Sequence, residues 1–182
     1  MENYYERLRS VPVRDSFEKK GNLDYLAWAK AWDFSKMLYP DARYYHHDRK
    51  ICDDNGNVLY VLNYYDYPNG KGGFVRTTTE INGVPHTVDL AIMNNVMKSI
   101  PSEEITPRDV MDSQQRCFTK CLAMHGLGIN AWTGEKDYIS DKKLAELGKG
   151  GLSKASATEI YSAYELTKKQ ISFIKSKIKE NE

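Results

Sequence analysis

The first stretch with a clear hydrophobic pattern is residues 23–39, where apolar side chains recur at helical spacing around most of the circumference. Only a narrow polar strip interrupts them, so the pattern predicts a helix over 23–39 that is buried on more than one side. In a chain of this length, such burial favours packing against a second subunit as well as against a sheet. Trp28 and Trp32 lie one turn apart, which is typical of core packing; a platform for stacked bases is the alternative.

The pattern changes to strand-like alternation between residues 42 and 92. Turn sequences rich in Asp, Asn, Pro and Gly separate four runs of β-forming residues, and the last turn is Asn82-Gly83. We predict an antiparallel meander whose strands cover residues 42–51, 57–65, 73–81 and 84–92. In the third strand, alternation places two sets of side chains on opposite faces: Phe74, Arg76, Thr78 and Glu80 on one, and Val75, Thr77, Thr79 and Ile81 on the other.

A second helix is predicted between Thr106 and Gly126. Thr106 suits the N-cap, Pro107 the first turn and Gly126 the position after the C-cap. One face of the helical wheel is apolar and should be buried: Val110, Cys117, Phe118, Cys121, Leu122 and Met124. Arg116 and Lys120 lie together on another side, with Asp112 one turn before Arg116 as a competing ion-pair partner.

The cysteines and histidine of this helix are predicted to be core residues. Cys117, Cys121 and His125 are spaced i, i+4, i+8, which spreads them over about 12 Å of helix. Three ligands at that separation cannot share one zinc ion, so we expect packing and no metal site.

The C-terminal part follows a Gly150-Gly151 break. Residues 156–179 are predicted to form a helix or a helical hairpin with lysine-rich polar positions. This segment is a protein-docking element or a weak basic arm, or a helix that packs on its own domain. The fold class is therefore α+β, an antiparallel β-meander packed against helices, with residues 1–141 as the core and 142–182 as a linker and helical C-terminal appendage.

Composition adds few constraints. The 182 residues carry a net charge of +1, so any phosphate-binding surface must arise from local sorting of charge. Three cysteines make no disulfide framework, and no apolar signal or membrane segment is visible, so we expect a protein that works inside a cell.

Motifs for enzymatic chemistry are missing from the sequence. It contains no strand–GxxxxGK[ST]–helix phosphate loop, so nucleotide hydrolysis and a nucleotide cofactor are not expected. Several Asp residues lie in predicted turns, where backbone geometry favours them; a metal-dependent nuclease would need two or three carboxylates to converge. The remaining candidate is a basic groove for single-stranded nucleic acid, with Arg116 and Lys120 on the helix and Arg76 and Lys71 on or near the third strand.

Three blocks resemble the Sak type of phage single-strand annealing proteins. They are LDYLAWAKAWDFSKMLYPDARYY (23–45), FVRTTTEINGVPHTVDLAIMNN (74–95) and QQRCFTKCLAMHGLGINAWTGE (114–135). That family is similar to the Rad-type annealing proteins and more remotely to Erf, RecT and Red-beta. The resemblance implies a β-β-β-α core with a flanking helix, assembly into rings or helical filaments, and a positive groove that holds one strand with its bases exposed.

The resemblance also implies site residues and partners. By position, Lys120 and Arg116 match the basic residues of the closing helix, Arg76 that of the central strand and Lys98 that after the hairpin; Lys71 and Arg43 complete the predicted DNA-binding set. We expect annealing without ATP or any other cofactor, no catalytic residue and no metal. The slightly acidic core departs from the expected basic groove, and the lysine-bearing tail lies outside the matched blocks.

The expected function is therefore binding of single-stranded DNA and annealing of complementary strands in phage recombination. We expect a homo-oligomer in the cytoplasm of an infected bacterium, and the tail as the contact to a single-strand-binding protein or an exonuclease. An oligomeric protein-interaction scaffold and a metal-dependent nuclease are the alternatives.

Overall fold

The computed structural model describes residues 3–20, 23–133 and 135–178. The helices in these ranges are α1 (Tyr4–Arg9), α2 (Trp28–Leu38), α3 (Pro107–Met124), α4 (Asn130–Thr133), α5 (Asp141–Leu147), α6 (Lys154–Ala163) and α7 (Lys168–Lys177). The strands are β1 (Phe17–Lys20), β2 (Leu23–Leu26), β3 (Arg43–His46), β4 (Arg49–Cys52), β5 (Val58–Leu62), β6 (Tyr65–Asp66), β7 (Gly73–Ile81), β8 (Val84–Ala91), β9 (Asp137–Tyr138) and β10 (Tyr164–Glu165). None of the described helices has the length and apolar character needed to cross a membrane.

The chain forms two compact units. The central unit comprises residues 28–125, and the second combines residues 1–27 with 126–182. The predicted fold class is confirmed, since antiparallel strands pack against helices and the C-terminal region is helical. The functional boundary placed at residue 141 stays a prediction.

Strand β7 is the centre of the sheet in the central unit. It pairs along its length with β8, and its other edge is shared by β3 and β6, all antiparallel. Asn82 and Gly83 both have positive φ, of 54° and 74°, as the primed turn predicted between β7 and β8 requires. The first two predicted runs each break in two, because β4 and β5 leave the sheet and pair only with each other.

Helix α3 covers one face of this sheet. Thr106 caps it with its side chain, Asp109 completes a capping box, and Gly126 follows the C-cap residue His125 with φ of 104°. The β7 face predicted to be apolar is fully buried at Val75, Thr77, Thr79 and Ile81. The predicted helix face is also buried, except for Met124 in the last turn, which is 49% exposed.

The predicted helix over 23–39 is wrong in its first turn. Residues 23–26 form β2, which pairs antiparallel with β1, and α2 begins only at Trp28. Within the chain α2 is half-buried: Trp32 packs against Tyr44 and Phe118 with ring centroids 5.1 and 5.7 Å away, whereas Trp28 is 40% exposed. Of the two tryptophans, core packing is thus confirmed for Trp32 only. Polar Ser35 is buried, with its hydroxyl donating to the Ala31 carbonyl at 2.9 Å.

The second unit has its own hydrophobic cluster between α5, α6 and α7, built from Ile139, Leu144, Leu152, Ala157, Ile160 and Ile174. The helical hairpin predicted over 156–179 is confirmed as α6 and α7, although Lys179 lies outside the described residues. Packing on its own unit, one of the alternatives for this segment, is therefore what the tail does.

Candidate nucleic-acid interface

The buried face of α3 determines where its basic residues lie. The Cys117 thiol donates to the carbonyl of Val88 at 3.2 Å, and the Cys121 thiol donates to that of His86 at 3.1 Å. Burial raises the pKa of both thiols and lowers that of His125 to about 4, so all three groups are uncharged at neutral pH. Their predicted role in core packing is confirmed. Among the described residues no three His, Cys, Asp or Glu side chains are grouped to hold a metal ion.

Arg116 and Lys120 lie away from this buried face, as the helical wheel predicted. Lys120 is exposed and Arg116 is half-buried, with its guanidinium Nη2 3.3 Å from the Met97 sulfur. Asp112 is paired with Arg108 at 3.8 Å and not with Arg116. In the described part of the chain neither Arg116 nor Lys120 forms an ion pair, so both charges are available to a ligand.

Lys98 belongs to a tight loop between β8 and α3. The Asn94 side-chain oxygen accepts hydrogen bonds from the backbone N–H of Val96 at 3.1 Å and of Lys98 at 3.0 Å. Met97, whose sulfur contacts Arg116, holds φ of 63° in this loop. The loop therefore places Lys98 next to the side of α3 that carries Arg116.

Lys71 lies in the turn before β7, and close backbone contacts fix that turn. Gly72 donates to the Ser102 hydroxyl at 3.2 Å and accepts from it at 3.0 Å. A Cβ on Gly72 would lie 2.9 Å from the carbonyl of Ile100 and 3.6 Å from the Ser99 Cβ, so no larger residue fits. The structure thus brings the turn of Lys71 and the loop of Lys98 to the same end of the sheet.

Arg43 and Arg76 lie elsewhere, on the sheet face opposite α3. Arg76 makes a two-pronged ion pair with Asp89, at 2.7 and 2.8 Å, and Arg43 makes one with Glu80, at 2.8 and 3.2 Å. The hydrogen bonds from these arginines lower the pKa of both carboxyls, so the pairs stay ionised. The six predicted DNA-binding residues are therefore divided: four lie around α3 and the nearby loops, and two lie on the open sheet face.

The open sheet face also carries an aromatic group that sequence reasoning did not assign to the site. The rings of Tyr65 and Phe74 stack with centroids 5.1 Å apart, and the Arg76 guanidinium lies 5.5 and 5.7 Å from them. His47, Thr78 and Thr87 continue this face as a chain of 2.8 and 2.7 Å hydrogen bonds. The abundance of Tyr at the strand ends was the only signal, and it did not specify a face. Trp132, in α4, is 67% exposed.

This arrangement is suited to an extended polyanion. The basic side chains around α3 that lack acidic partners can neutralise successive phosphates. A base that stacks on Tyr65 or Phe74 would lie on the opposite face of the sheet.

Comparison with known proteins gives a family and no individual relative. Neither the curated proteins nor the solved structures include a match to this chain. The family model described as the Sak single strand annealing protein matches residues 3–160 of the 182. This range contains all of the central unit and every predicted DNA-binding residue. The chain belongs to the Sak family of single-strand annealing proteins.

Proposed function

We propose that this protein binds single-stranded DNA and anneals complementary strands without ATP, as a ring or helical filament of identical subunits, in phage homologous recombination in the cytoplasm of an infected bacterium. The observation that carries the proposal is a group of four basic residues on neighbouring elements of a Sak family member: Lys71, Lys98, Arg116 and Lys120. Among the described residues none of the four has a carboxylate within ion-pair distance.

The mechanism needs positioning and charge neutralisation but no covalent step. Each cation that meets a phosphate releases condensed counterions and reduces the repulsion between two approaching strands. A strand held extended with its bases accessible has already lost much of the entropy that pairing costs, and base pairing then supplies the driving force.

Arg43 and Arg76 contribute under a different condition. A phosphate on the open sheet face must first compete with Glu80 or Asp89 for the guanidinium. We therefore assign the main contact to the four unpaired cations and a secondary contact to these two arginines.

The test is an annealing assay with two complementary labelled oligonucleotides, without nucleotide and with EDTA present. The wild-type protein should accelerate annealing over the protein-free rate, and a variant with both Arg116→Ala and Lys120→Ala should lose most of that acceleration. A matched variant with Lys142→Ala and Lys149→Ala removes two exposed lysines from the second unit and should behave like the wild type.

Three results would contradict the proposal. They are an unaccelerated reaction with the wild-type protein, equal losses in the two double variants, and degradation of the oligonucleotide on addition of magnesium, which would indicate a nuclease. A protein that forms large assemblies yet fails to retain an oligonucleotide at low salt would instead be a scaffold.

The proposed partner-binding element is the tail, residues 142–182. Its helices form a hydrophobic cluster, with a pocket of ≈ 190 Å³ lined by Asp141, Leu144, Lys169, Gln170 and Phe173. This pocket supports a role in docking a peptide of a single-strand-binding protein or an exonuclease. Reduced retention of such a protein by a Phe173→Ala variant that still anneals oligonucleotides would support that assignment.

A further inference from the structure

The β4–β5 ribbon, residues 49–62, carries four consecutive exposed hydrophobic residues, the longest such run in the described part of the central unit. Val58, Leu59, Tyr60 and Val61 are each between 47% and 62% exposed. Successive residues of a strand point to opposite faces, so both faces of the ribbon are apolar. A two-stranded ribbon cannot bury its own side chains, and an exposed apolar run of this kind marks an interaction surface.

A second uncovered apolar feature lies on the loop of residues 94–99. Val96 is 71% exposed and Met97 is 55% exposed. Met97 holds the left-handed conformation that side chains rarely adopt, and the loop is fixed around it by Asn94, whose backbone N–H donates to the Lys98 carbonyl at 2.9 Å. The backbone is thus held in an unfavourable conformation that displays two adjacent apolar side chains.

The charges around these two features are complementary. The turn of the ribbon carries Asp53 and Asp54, and residues 53–62 contain no basic side chain. The two basic residues of the ribbon, Arg49 and Lys50, lie at the far end of β4 from this turn, and Arg49 is paired with Asp66. Hydrogen bonds from Asn57 and the turn backbone hold the pKa of the Asp53 carboxyl low. The 94–99 loop contains Lys98 and touches Arg116, so its surroundings are basic. An acidic turn repels DNA and fits a partner that is apolar and basic.

We propose that the β4–β5 ribbon of one copy of this chain packs against the 94–99 loop of a second copy, with Asp54 facing Lys98. The inference rests on the homo-oligomer of the proposed function and specifies its contact. The two surfaces differ, so the contact is head-to-tail, and repetition closes a ring or continues as a filament. In this assembly Lys98 is held by Asp54 of the neighbouring copy, so it becomes a secondary DNA contact like Arg43 and Arg76, and Lys71, Arg116 and Lys120 remain the unpaired cations.

The first experiment measures the mass of the full-length protein by light scattering after gel filtration, without DNA. Leu59→Lys, Asp54→Lys and Lys98→Asp should each raise the concentration at which the assembly dissociates toward the 20.9 kDa monomer by about tenfold or more. Combining Asp54→Lys with Lys98→Asp should restore assembly, because the swapped charges attract again. Glu146→Lys, at an exposed site on α5, is the matched charge control and should leave the mass unchanged.

The second experiment uses Cys52, a free and exposed thiol at the end of β4. In the wild-type assembly it should react with a maleimide much more slowly than in the Leu59→Lys variant, while buried Cys117 and Cys121 stay unreactive in both. Circular dichroism and the melting temperature identify any variant that is simply unfolded, and Val61→Lys replaces Leu59→Lys in that case.

A wild-type protein that is monomeric at all concentrations would overturn the inference. So would single variants of wild-type mass, a double charge swap that fails to reassemble, or equal Cys52 reactivity in the assembly and the monomer. These readouts contain no DNA, so an assembly that behaves as expected but does not anneal strands would contradict the proposed function and leave this contact standing.

Discussion

Whether a basic residue can bind a phosphate depends on whether a neighbouring carboxylate already holds it. Lys120 has no acidic partner among the described residues, whereas Arg43 and Arg76 are held by carboxylates directly across the strands. All six predicted residues carry the same charge in the sequence. Only those without an acidic partner, such as Lys120, can bind a phosphate without first breaking an ion pair.

Replacing Lys120 tests the role of a basic residue that has no acidic partner among the described residues. Lys120→Ala should weaken binding to single-stranded DNA by a similar factor for all sequences, because phosphate contacts do not read bases. The slope of log K against log salt should become shallower by about 0.7, because one phosphate contact on a single strand is lost. Fluorescence anisotropy across a salt series measures both quantities, with Lys149→Ala as the control. An unchanged slope would remove Lys120 from the interface.

Replacing Glu80 tests the role of Arg43, a basic residue held in an ion pair. Glu80→Gln removes the carboxylate that holds Arg43 and one negative charge from the open sheet face. Binding at low salt should tighten, and the salt slope should become steeper by about 0.7 if Arg43 gains one phosphate. Glu146→Gln removes an equal charge from α5, and tighter binding by both variants would mean that only net charge matters.

The buried His125 makes stability depend on pH. Burial, and then the neighbouring His86, lower its pKa from 6.5 to about 4 in the folded protein. The neutral form is therefore favoured by folding, so its contribution is complete above pH 6.5 and is lost as pH falls toward 4. The free energy of unfolding should drop by about 3 kcal/mol over that range.

Urea unfolding at several pH values measures this loss. His46, whose pKa burial also lowers, adds a change of the same sign. A His125→Gln variant cannot take up the proton and should lose most of the slope between pH 6.5 and 4. Identical slopes in the two proteins would show that His125 is not responsible.

Among the elements, α3 could be predicted because nearby residues in the sequence determine both of its ends. Thr106, Pro107 and Gly126 fix its limits without reference to any other part of the chain, and its apolar stripe fixes the orientation of Arg116 and Lys120. That part of the candidate site followed from the sequence alone.

The elements that were mispredicted depend on distant partners. Residues 23–26 fit the helical period of the segment that follows, but pairing with residues 17–20 makes them a strand. The Arg43–Glu80 pair depends in the same way on a distant partner, because β3 pairs with β7, which is not the next strand in sequence. Composition does not specify which strands are neighbours, so the neutralisation of Arg43 could not be anticipated. The Arg76–Asp89 pair is different, since the two-residue turn at Asn82 and Gly83 sets the β7–β8 register and places these two residues opposite each other.

The cap of α3 gives a prediction for a single element. Thr106 accepts a hydrogen bond from the Asp109 backbone, and the Asp109 carboxylate accepts one from the Thr106 backbone. Thr106→Ala should destabilise the protein by about 1 kcal/mol, since a capping oxygen is lost, while Thr106→Ser should keep most of the stability. Thermal unfolding of the two variants side by side measures the difference in stability. Equal losses of stability would show that the methyl group of Thr106, and not its capping oxygen, stabilises the protein.

At the scale of the whole molecule, each compact unit has a hydrophobic cluster of its own. Ile174 is fully buried in the cluster between α5, α6 and α7 of the second unit, and Phe118 of α3 is fully buried in the central unit. Ile174→Ala should cost about 2–5 kcal/mol, and that cost should fall on its own unit.

Hydrogen exchange followed by mass spectrometry tests this separation. Peptides from α5 to α7 should lose protection in the Ile174→Ala variant, while peptides from β7 and α3 keep theirs. Equal loss in both units would show that the chain unfolds as one cooperative body.

The position of the β4–β5 ribbon outside the sheet affects how the family can diversify. The chain leaves the sheet after β3 and returns at β6, and both of these strands hold the same edge of β7. The ribbon, residues 49–62, can change in length or sequence without disturbing the pairing of β7 with β3, β6 and β8. Under the proposed head-to-tail contact, the length of this ribbon would set the spacing between neighbouring copies while the core stays the same.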